Sequence, residues 1–255
     1  MTAWNPTQYL RFGNERLQPA IDLIGRIPLE SPRVIYDLGC GTGSGTLMLK
    51  ERWPQAEVTG VDASHTMLER TRSLEASISW QQADLNTWEP EASPDILFSN
   101  AALHWLDHHE DLFPRLFSKL APGGVLAVQI PHNFSAPSHT TIADTVRSGP
   151  WRDRLEPHLR ERPVMEGGVY YDLLSPLSSK LDMWETTYYH VLSGNDPVVE
   201  WTKGSILTPL LPQLEERERE EFLDAYRRRV APAYPQRKDG KTVLPFRRLF
   251  IMATK

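Results

Sequence analysis

The stretch "YDLGCGTGSG" at residues 36–45 places four glycines in ten positions, directly after the apolar residues Val34 and Ile35. An apolar run followed by glycines is typical of a β-strand that ends in a turn whose backbone can approach a ligand closely. A helical pattern begins at Ser44, so the turn leads from a strand into a helix. The stretch therefore predicts a strand–turn–helix unit built around a bound ligand.

Four further β-rich segments follow this unit and alternate with helical patterns. The five strand segments are VIYDL (34–38), EVTGVD (57–62), ISWQQAD (78–84), PDILFSN (94–100) and GVLAVQIP (124–131). The predicted helices between them are Ser44–Trp53, Ser64–Leu74 and about Pro114–Leu120, where Pro114 suits a first turn. Alternating strands and helices are typical of a mostly parallel sheet covered by helices. The predicted fold class is therefore α/β, with a Rossmann-like sheet.

The pattern changes after Pro131. Two segments of helical character, 132–180 and 193–241, flank a predicted strand at 180–192, and a last strand closes the chain from Thr242. The run from Glu215 to Glu221 alternates opposite charges at helical spacing, which indicates a solvated helix face. We therefore expect a single domain over residues 1–255, with the two helical segments inserted as a lid.

Composition excludes several classes of protein. The chain of 255 residues is 40% hydrophobic and 24% charged, which is typical of a soluble globular protein, and its net charge of -5 provides no general attraction for nucleic acid. Its one cysteine, Cys40, excludes an internal disulfide. No apolar stretch is long enough to span a membrane, and no secretory signal pattern is present. We therefore expect a cytoplasmic protein without a nucleic-acid or membrane partner.

Two ligands compete for the glycine turn. The dinucleotide pattern G-x-G-x-x-G, counted from Gly39 and Gly41, reaches Ser44 where the third glycine is required. S-adenosyl-L-methionine (SAM) has no pyrophosphate, and its cationic methionine end can use carboxylates and backbone carbonyls. Because Asp37 precedes the glycines by two residues, SAM is the better match. A nicotinamide-dependent oxidoreductase remains the alternative enzyme class, and a non-catalytic binding module the alternative outside enzymes.

The motif VIYDLGCGTG and its companions GVDAS, QADLNTW, DILFSNAALHWL and LAPGGVLAV resemble those of the class I SAM-dependent methyltransferases. They occur in the family's order, each at the end of a predicted strand or in the turn before one. The resemblance implies a mostly parallel sheet whose last strand runs antiparallel. The resemblance implies that Asp62 accepts hydrogen bonds from the ribose hydroxyls, that Asp84 and Leu85 hold the adenine, and that Asn100 and Ala101 lie beside the methionine portion. The cofactor residues it implies are Tyr9, Asp37, Gly39, Cys40, Gly41, Asp62, Ala63, Met67, Asp84, Leu85, Asn100 and Ala101.

The segments outside the sheet narrow the resemblance. WNPTQYLRF (4–12), the block from Asn100 to Pro131 and RRLFIMATK (247–255) resemble a branch of the family that esterifies one carboxylate of a small acid. The alternative is a branch that esterifies malonyl groups on a carrier protein. The predicted activity is O-methylation of a carboxylate, with S-adenosyl-L-homocysteine as the second product.

This chemistry needs no general base, so we predict no catalytic side chain. A carboxylate with a pKa near ~4 is already ionised at pH 7, and the enzyme has to align the reacting atoms and exclude water. Carboxylates of the substrate that do not react need cationic or hydrogen-bonding partners, and arginine suits them best. The predicted substrate-binding residues, near the expected carboxyl ends of strands or the start of the last strand, are Trp105, His132, Asn133, Tyr188 and Arg247.

Three other features have ordinary explanations. The adjacent histidines of LHWLDHHED suggest a metal, but no further ligand cluster accompanies them, so we predict no metal site. Cys40 is interpreted as a small residue beside the cofactor, not as a nucleophile. Tyr9 and Phe12 share a helix face, where they either pack or form an amino-terminal cap over the cofactor, as the resemblance implies.

Overall fold

The computed structural model describes residues 17–71, 74, 77–160 and 164–255. Within them the chain forms two compact units. The first contains the described residues up to Pro131 together with Val164–Thr186 and Arg248–Lys255, and the second contains His132–Pro163 and Thr187–Arg247. The expectation that segments 132–180 and 193–241 form a lid stays a prediction.

The described strands form one sheet in the order β3-β2-β1-β4-β5-β7-β6. β1 to β5 are parallel to one another, whereas β7 runs antiparallel to β5. The strands are β1 Val34–Leu38, β2 Glu57–Asp62, β3 Ile78–Gln82, β4 Ile96–Asn100, β5 Val125–Pro131, β6 Lys180–Leu192 and β7 Thr242–Thr254. The predicted mostly parallel sheet with an antiparallel last strand is confirmed.

Burial explains why these segments are strands. Every residue of β5 is buried, as expected for a strand covered on both faces of a parallel sheet. β1 and β4 are buried along nearly their whole length and lie beside each other in the middle of the sheet. The carboxyl ends of β1, β2 and β4 therefore share one edge, where the candidate cofactor residues follow them in the chain.

The longer helices are α1 Gln18–Arg26, α2 Ser44–Arg52, α3 His65–Glu69, α4 His109–Ser118, α5 Pro137–Ser148, α6 Arg152–Leu155, α7 Gly167–Leu174, α8 Pro197–Lys203 and α9 Glu216–Val230. In α9 the buried residues Phe222, Tyr226 and Val230 recur every four positions on one face. The run from Glu215 to Glu221 is mostly exposed, which confirms the predicted solvated face. Among the described residues, no helix combines the length and apolar character that a membrane span requires.

Two helix predictions were wrong in their bounds. α3 ends at Glu69 rather than at Leu74, because it buries none of its residues and has no apolar face to extend it, although Ser64 caps it as predicted through the Met67 N–H. α4 begins at His109, so Pro114 lies inside the helix and not in its first turn.

Packing explains why α4 tolerates this proline. Its buried face consists of His109, Leu112, Phe113, Leu116 and Phe117. Burial of this face outweighs the one backbone hydrogen bond that a proline removes. His108 precedes the helix with a left-handed backbone (φ 55°), and Glu110 and Asp111 place negative charge at its amino end.

The second unit has a hydrophobic core of its own. It is built from α5, α6, α8 and α9 together with the start of β7. The buried core residues are Ile142, Val146, Trp151, Leu155, Val198, Val199, Leu207, Leu210, Leu214, Phe222, Tyr226, Val230, Leu244 and Phe246.

Candidate functional site

The glycine turn after β1 is held against two neighbouring strands. The N–H groups of Gly39 and Cys40 donate to the carbonyl of Val61 in β2, over 2.8 and 3.0 Å. A Cβ atom on Gly39 would lie 2.2 Å from the Cβ of Ala102, in the loop after β4, and Gly39 has a φ of 75°. Both the contact and the backbone angle therefore require glycine at this position.

Asp62, at the end of β2, braces the turn. One carboxylate oxygen accepts the N–H of Gly41 and the other accepts the N–H of Ser64, each over 2.8 Å. A carboxylate has about four lone-pair sites, so these two bonds leave acceptor capacity on both oxygens. The geometry fits the implied ribose contact and adds a role that the sequence did not indicate, namely fixing Gly41.

Asp37 is a buried carboxylate at the foot of the same turn. Its Oδ2 accepts a hydrogen bond from the Thr46 hydroxyl over 2.7 Å. The pKa of Asp37 is raised to about 7, because burial and, to a smaller extent, the negative charge of Asp62 raise it by more than the Thr46 hydrogen bond lowers it. Two carboxylates so close together favour a ligand with positive charge and disfavour a pyrophosphate.

Cys40 and Trp80 line the turn with apolar surface. Burial raises the pKa of the Cys40 thiol, so the thiol stays protonated at neutral pH and is a weak nucleophile. Trp80, on β3, packs so closely that a Cβ on Gly43 or Gly60 would lie 2.6 Å from its ring. Trp80 was not predicted to line this turn, because a tryptophan within a predicted strand is ordinarily a packing residue.

The loops after β3 and β4 carry the next group of predicted residues. Asp84 accepts the backbone and side-chain N–H groups of Asn86, each over 2.9 Å, and Leu85 is buried. Arg115, on α4, donates to the carbonyl oxygens of Leu85 and Trp88 and so fixes this loop. No local signal in the sequence indicated that role for Arg115.

The loop after β4 combines strain with an open acceptor. Ala101 has a left-handed backbone (φ 54°), which is costly for a residue other than glycine, and its N–H is held by the carbonyl of Gln129 in β5 over 2.9 Å. The Oδ1 atom of Asn100 is buried without a hydrogen-bond partner among the described residues. An open acceptor beside two carboxylates suits the donor-rich, cationic amino-acid end of SAM.

The remaining predicted cofactor residues differ in what the structure shows of them. Ala63 is exposed, its carbonyl accepts from Gln82, and Met67 on α3 is 40% exposed. Tyr9 and Phe12 lie outside the described residues. All the predicted cofactor residues that the structure describes belong to the first unit. They are Asp37, Gly39, Cys40, Gly41, Asp62, Ala63, Met67, Asp84, Leu85, Asn100 and Ala101.

Three of the predicted substrate residues meet in the second unit. His132 donates its N–H to the carbonyl of Arg247 over 2.9 Å, and the Arg247 Nε donates to the carbonyl of His132 over 2.9 Å. The Asn133 side-chain oxygen accepts the Arg247 N–H over 3.4 Å. His132 and Asn133 are buried, whereas Arg247 is half-buried. The structure thus brings Arg247 next to His132 and Asn133, more than a hundred positions earlier in the chain.

The remaining predicted substrate residues, Tyr188 and Trp105, belong to β6 and to the turn after β4. Tyr188 is a half-buried residue of β6 in the second unit, while His190 is buried there and stacks on Trp201. Trp105 belongs to the first unit and is 42% exposed. His139, which was not predicted from the sequence, is half-buried in the second unit beside Phe246. Burial lowers the pKa of His139 to about 4, so it stays neutral at pH 7 and supplies no positive charge for a substrate carboxylate.

The histidines of the LHWLDHHED stretch have separate roles. His109 is buried and hydrogen-bonded to Tyr170, whereas His108 is exposed at the start of α4. Within the described part of the chain, no three histidine, cysteine, aspartate or glutamate side chains are placed to hold a metal ion.

Comparison with known proteins places this geometry in a family. Residues 35–124 match a family model described as a methyltransferase domain. The chain is 44% identical over 258 residues to a trans-aconitate 2-methyltransferase of Methylobacterium radiotolerans, covering all of this chain and 99% of that protein. It is 44% identical to the trans-aconitate 2-methyltransferase of Azoarcus sp., covering both chains in full.

A solved structure supports the fold. Phosphoethanolamine N-methyltransferase 2 of Haemonchus contortus, in complex with S-adenosyl-L-methionine, is 15% identical with a TM-score of 0.55. The match covers 92% of this chain and 52% of that one. The fold is therefore that of the class I SAM-dependent methyltransferases.

We expect Asp37→Asn to change how stability depends on pH. A carboxyl whose pKa rises from 3.8 to about 7 on folding binds its proton more tightly in the folded state, so the parent protein loses stability as the pH rises from about 4 to about 7. One such group contributes about 1.4 kcal/mol per pH unit within that window. Urea unfolding of the ligand-free protein should show a flatter pH profile for Asp37→Asn than for the parent.

Asp239→Asn is the matched control, because Asp239 is an exposed carboxylate in a turn of the second unit. It should reproduce the parent's profile. Parallel profiles for Asp37→Asn and the parent between pH 5 and 8 would contradict the assignment to Asp37.

Proposed function

Because this chain belongs to the trans-aconitate 2-methyltransferase family, we propose that it esterifies one carboxylate of trans-aconitate. It is a SAM-dependent methyltransferase, and its second product is S-adenosyl-L-homocysteine. The observation that carries the substrate assignment is the extent of the likeness. The family model covers residues 35–124, which hold most of the cofactor residues, whereas the identity of 44% to named relatives covers the whole chain, including the second unit.

The first unit supplies the cofactor site in this proposal. Bound SAM supplies a methyl group on a positively charged sulfur, already activated for transfer. Asp62 accepts hydrogen bonds from the ribose hydroxyls while it holds Gly41 in place. The Asp84–Leu85 segment, which Arg115 fixes, contacts the adenine. Asn100 offers its open side-chain oxygen to the methionine end.

Negative charge and close packing favour this ligand over a dinucleotide. Asp37 and Asp62 would repel a pyrophosphate, whereas a cation favours their ionised forms. Ala63 follows Asp62 directly in the chain, and Met67 comes five residues after Asp62. We assign both to the remaining ribose and adenine contacts.

The substrate's own charge sets what the protein must do during transfer. The reacting carboxylate is ionised at neutral pH, so no side chain has to remove a proton. The protein must bring the carboxylate oxygen to about 3–3.5 Å from the methyl carbon and exclude water from it. Positioning groups therefore replace a general base, in keeping with the absence of a predicted catalytic side chain.

The second unit supplies partners for the carboxylates that do not react. Arg247 is hydrogen-bonded there to the backbone of His132 and to the side-chain oxygen of Asn133, and the side chains of His132 and Asn133 are buried. An anion removed from water without such partners would be costly to bind. We assign the recognition of a non-reacting carboxylate to this cluster, with Tyr188 as a further contact from β6. Trp105, in the first unit, stays a predicted substrate residue.

A methyl-transfer assay tests the proposal. The protein is incubated with radiolabelled SAM and, separately, trans-aconitate, cis-aconitate, citrate and a malonyl group on carrier protein. The expected product is a methyl ester of trans-aconitate that releases its label as methanol in alkali. Labelling of the malonyl carrier alone would overturn the substrate assignment, and no transfer to any acid by protein that binds SAM would favour a non-catalytic module.

We expect Asp62→Ala to weaken SAM binding by about 1.5–3 kcal/mol, the range for hydrogen bonds to a charged group. Calorimetric titration of SAM into the folded variant measures the change. Asp95→Ala is a suitable comparison, because Asp95 also accepts hydrogen bonds from two backbone N–H groups, those of Arg33 and Val34. These lie at the amino ends of β1 and β4, the opposite ends of the strands from Asp62 and the glycine turn. Equal SAM affinity in Asp62→Ala and the parent would remove Asp62 from the site.

We expect Arg247→Ala to raise the KM for the acid and leave SAM affinity nearly unchanged. Loss of one charge-assisted contact corresponds to about 1.5–3 kcal/mol, or roughly ten- to a hundred-fold in kcat/KM. Arg228→Ala is the control, because Arg228 is an exposed arginine of the same unit and its removal changes the net charge equally. If both variants behave alike in steady-state kinetics, the assignment of Arg247 to the substrate site is wrong.

A further inference from the structure

A buried chain of hydrogen bonds joins α4 and α7 to the loop that follows β4. The Nδ1 atom of His109 lies 2.6 Å from the hydroxyl of Tyr170, and its Nε2 atom lies 2.9 Å from the carbonyl oxygen of Leu103. The N–H of Met165 donates to the same hydroxyl over 3.3 Å. His109 is 3% exposed and Tyr170 is fully buried, so water does not compete with these bonds.

The partners determine where each proton lies. The carbonyl oxygen of Leu103 can only accept, so Nε2 of His109 must carry the proton and donate it. The Tyr170 hydroxyl accepts the Met165 N–H and still has its own proton to donate to an unprotonated Nδ1. In the neutral histidine these bonds fit one tautomer and one ring orientation, with Nδ1 as the unprotonated nitrogen.

Aromatic packing alone does not account for this arrangement. Tyr170, His109 and Phe113 form a cluster with ring centroids 4.8–5.8 Å apart, which would bury apolar surface equally well with two phenylalanines. A buried polar pair costs stability unless its members are satisfied, and here both ring nitrogens and the hydroxyl are. The pair thus has a consequence beyond packing, which is the restraint on Leu103.

The restrained carbonyl lies in the turn that carries Trp105. The Leu103 carbonyl also accepts the backbone N–H of Leu106 over 3.0 Å. The backbone N–H of Trp105 donates to the Ala102 carbonyl over 3.0 Å. Ala102 is the residue that packs against Gly39 of the cofactor turn, and Ala101 before it has the strained left-handed backbone. A strained segment persists only where its surroundings hold it, and the His109 bond is one such restraint.

We propose that His109 and Tyr170 are positioning residues for methyl transfer. They hold the 101–105 segment, and with it Trp105, in the geometry that aligns the reacting atoms. Arg115, six residues after His109 on α4, fixes the adenine loop instead. α4 therefore restrains two loops of the cofactor site from one helix, and the His109 end acts on the transfer step. This inference rests on the proposed methyltransferase activity.

Tyr170→Phe is the main test, because it keeps the ring and removes only the hydroxyl that selects the tautomer. The kcat for methyl transfer should fall about ten-fold or more, since a misplacement of 1 Å in a reactive geometry can cost about a hundred-fold. Calorimetric SAM affinity should stay within about two-fold, because the adenine and ribose contacts do not involve this pair.

A second pair of variants separates positioning from folding. His109→Gln keeps a side-chain N–H that can donate to the Leu103 carbonyl, whereas His109→Leu keeps the volume without a donor. We expect the kcat of His109→Gln to lie above that of His109→Leu by several-fold, on the scale of one hydrogen bond. Equal kcat values in two equally stable variants would overturn the role of this bond.

A spectroscopic readout works without activity. The chain contains eight tryptophans, so 5-fluorotryptophan labelling should give eight ¹⁹F signals, of which Trp105→Phe identifies one. The Trp105 signal should shift or broaden in Tyr170→Phe. Tyr226→Phe is the matched control, because Tyr226 is equally buried and its hydroxyl donates to the carbonyl of Ser138 in the second unit. It should leave the Trp105 signal unmoved.

The outcomes distinguish this inference from the proposed function. A folded Tyr170→Phe variant with the parent's kcat and the parent's Trp105 signal overturns the positioning role. If the parent itself transfers no methyl group to any acid, the proposed function fails, and a shifted Trp105 signal in Tyr170→Phe still supports the restraint on the turn.

Discussion

The approach of Gly39 to Ala102 is the constraint on which the cofactor unit depends. β1 and β4 are neighbours in the sheet, and the loops that leave their carboxyl ends meet without room for a Cβ atom on Gly39. The chain after β1 must therefore turn with a positive φ, and the loop after β4 must hold Ala101 in a strained conformation. Backbone N–H groups of both loops donate hydrogen bonds to the carbonyls of Val61 and Gln129, and these bonds keep the loops in place.

Charge then determines which ligand suits these loops. Asp37 and Asp62 bring two carboxylates to one turn, and the cost of burying Asp37 appears as its raised pKa. The same arrangement that disfavours a dinucleotide pyrophosphate favours a sulfonium cation. A chain with a net charge of -5 that esterifies a polycarboxylate, as we propose, needs local positive charge, such as that of Arg247.

The two units divide the proposed work. The first contains the predicted cofactor residues that the structure describes, and its family model explains the SAM chemistry but no particular acid. The second contains His132, Asn133 and Arg247, and there the likeness to named relatives continues at full length. Because transfer to an ionised carboxylate requires alignment rather than proton removal, specificity and rate both depend on positioning groups.

The sequence by itself determined the five parallel strands, the antiparallel last strand, the glycine turn and the family. These features are encoded locally, since a buried strand needs a continuous apolar run and a tight turn needs glycine at a given position. Local signals failed at α4, where Pro114 suggested a start but the apolar face from Leu112 to Phe117 favours a longer helix.

Only the tertiary structure decided which side chains hold the loops. His109 and Tyr170 are 61 residues apart in the chain, and Asn133 and Arg247 are 114 apart. A hydrogen bond between such residues leaves no periodic pattern in either segment, because its direction depends on how the strands and helices pack around it. Residue type alone therefore suggested candidate ligand-binding residues. The proposed roles of Arg115, His109 and Tyr170 follow from contacts that only the packed structure shows.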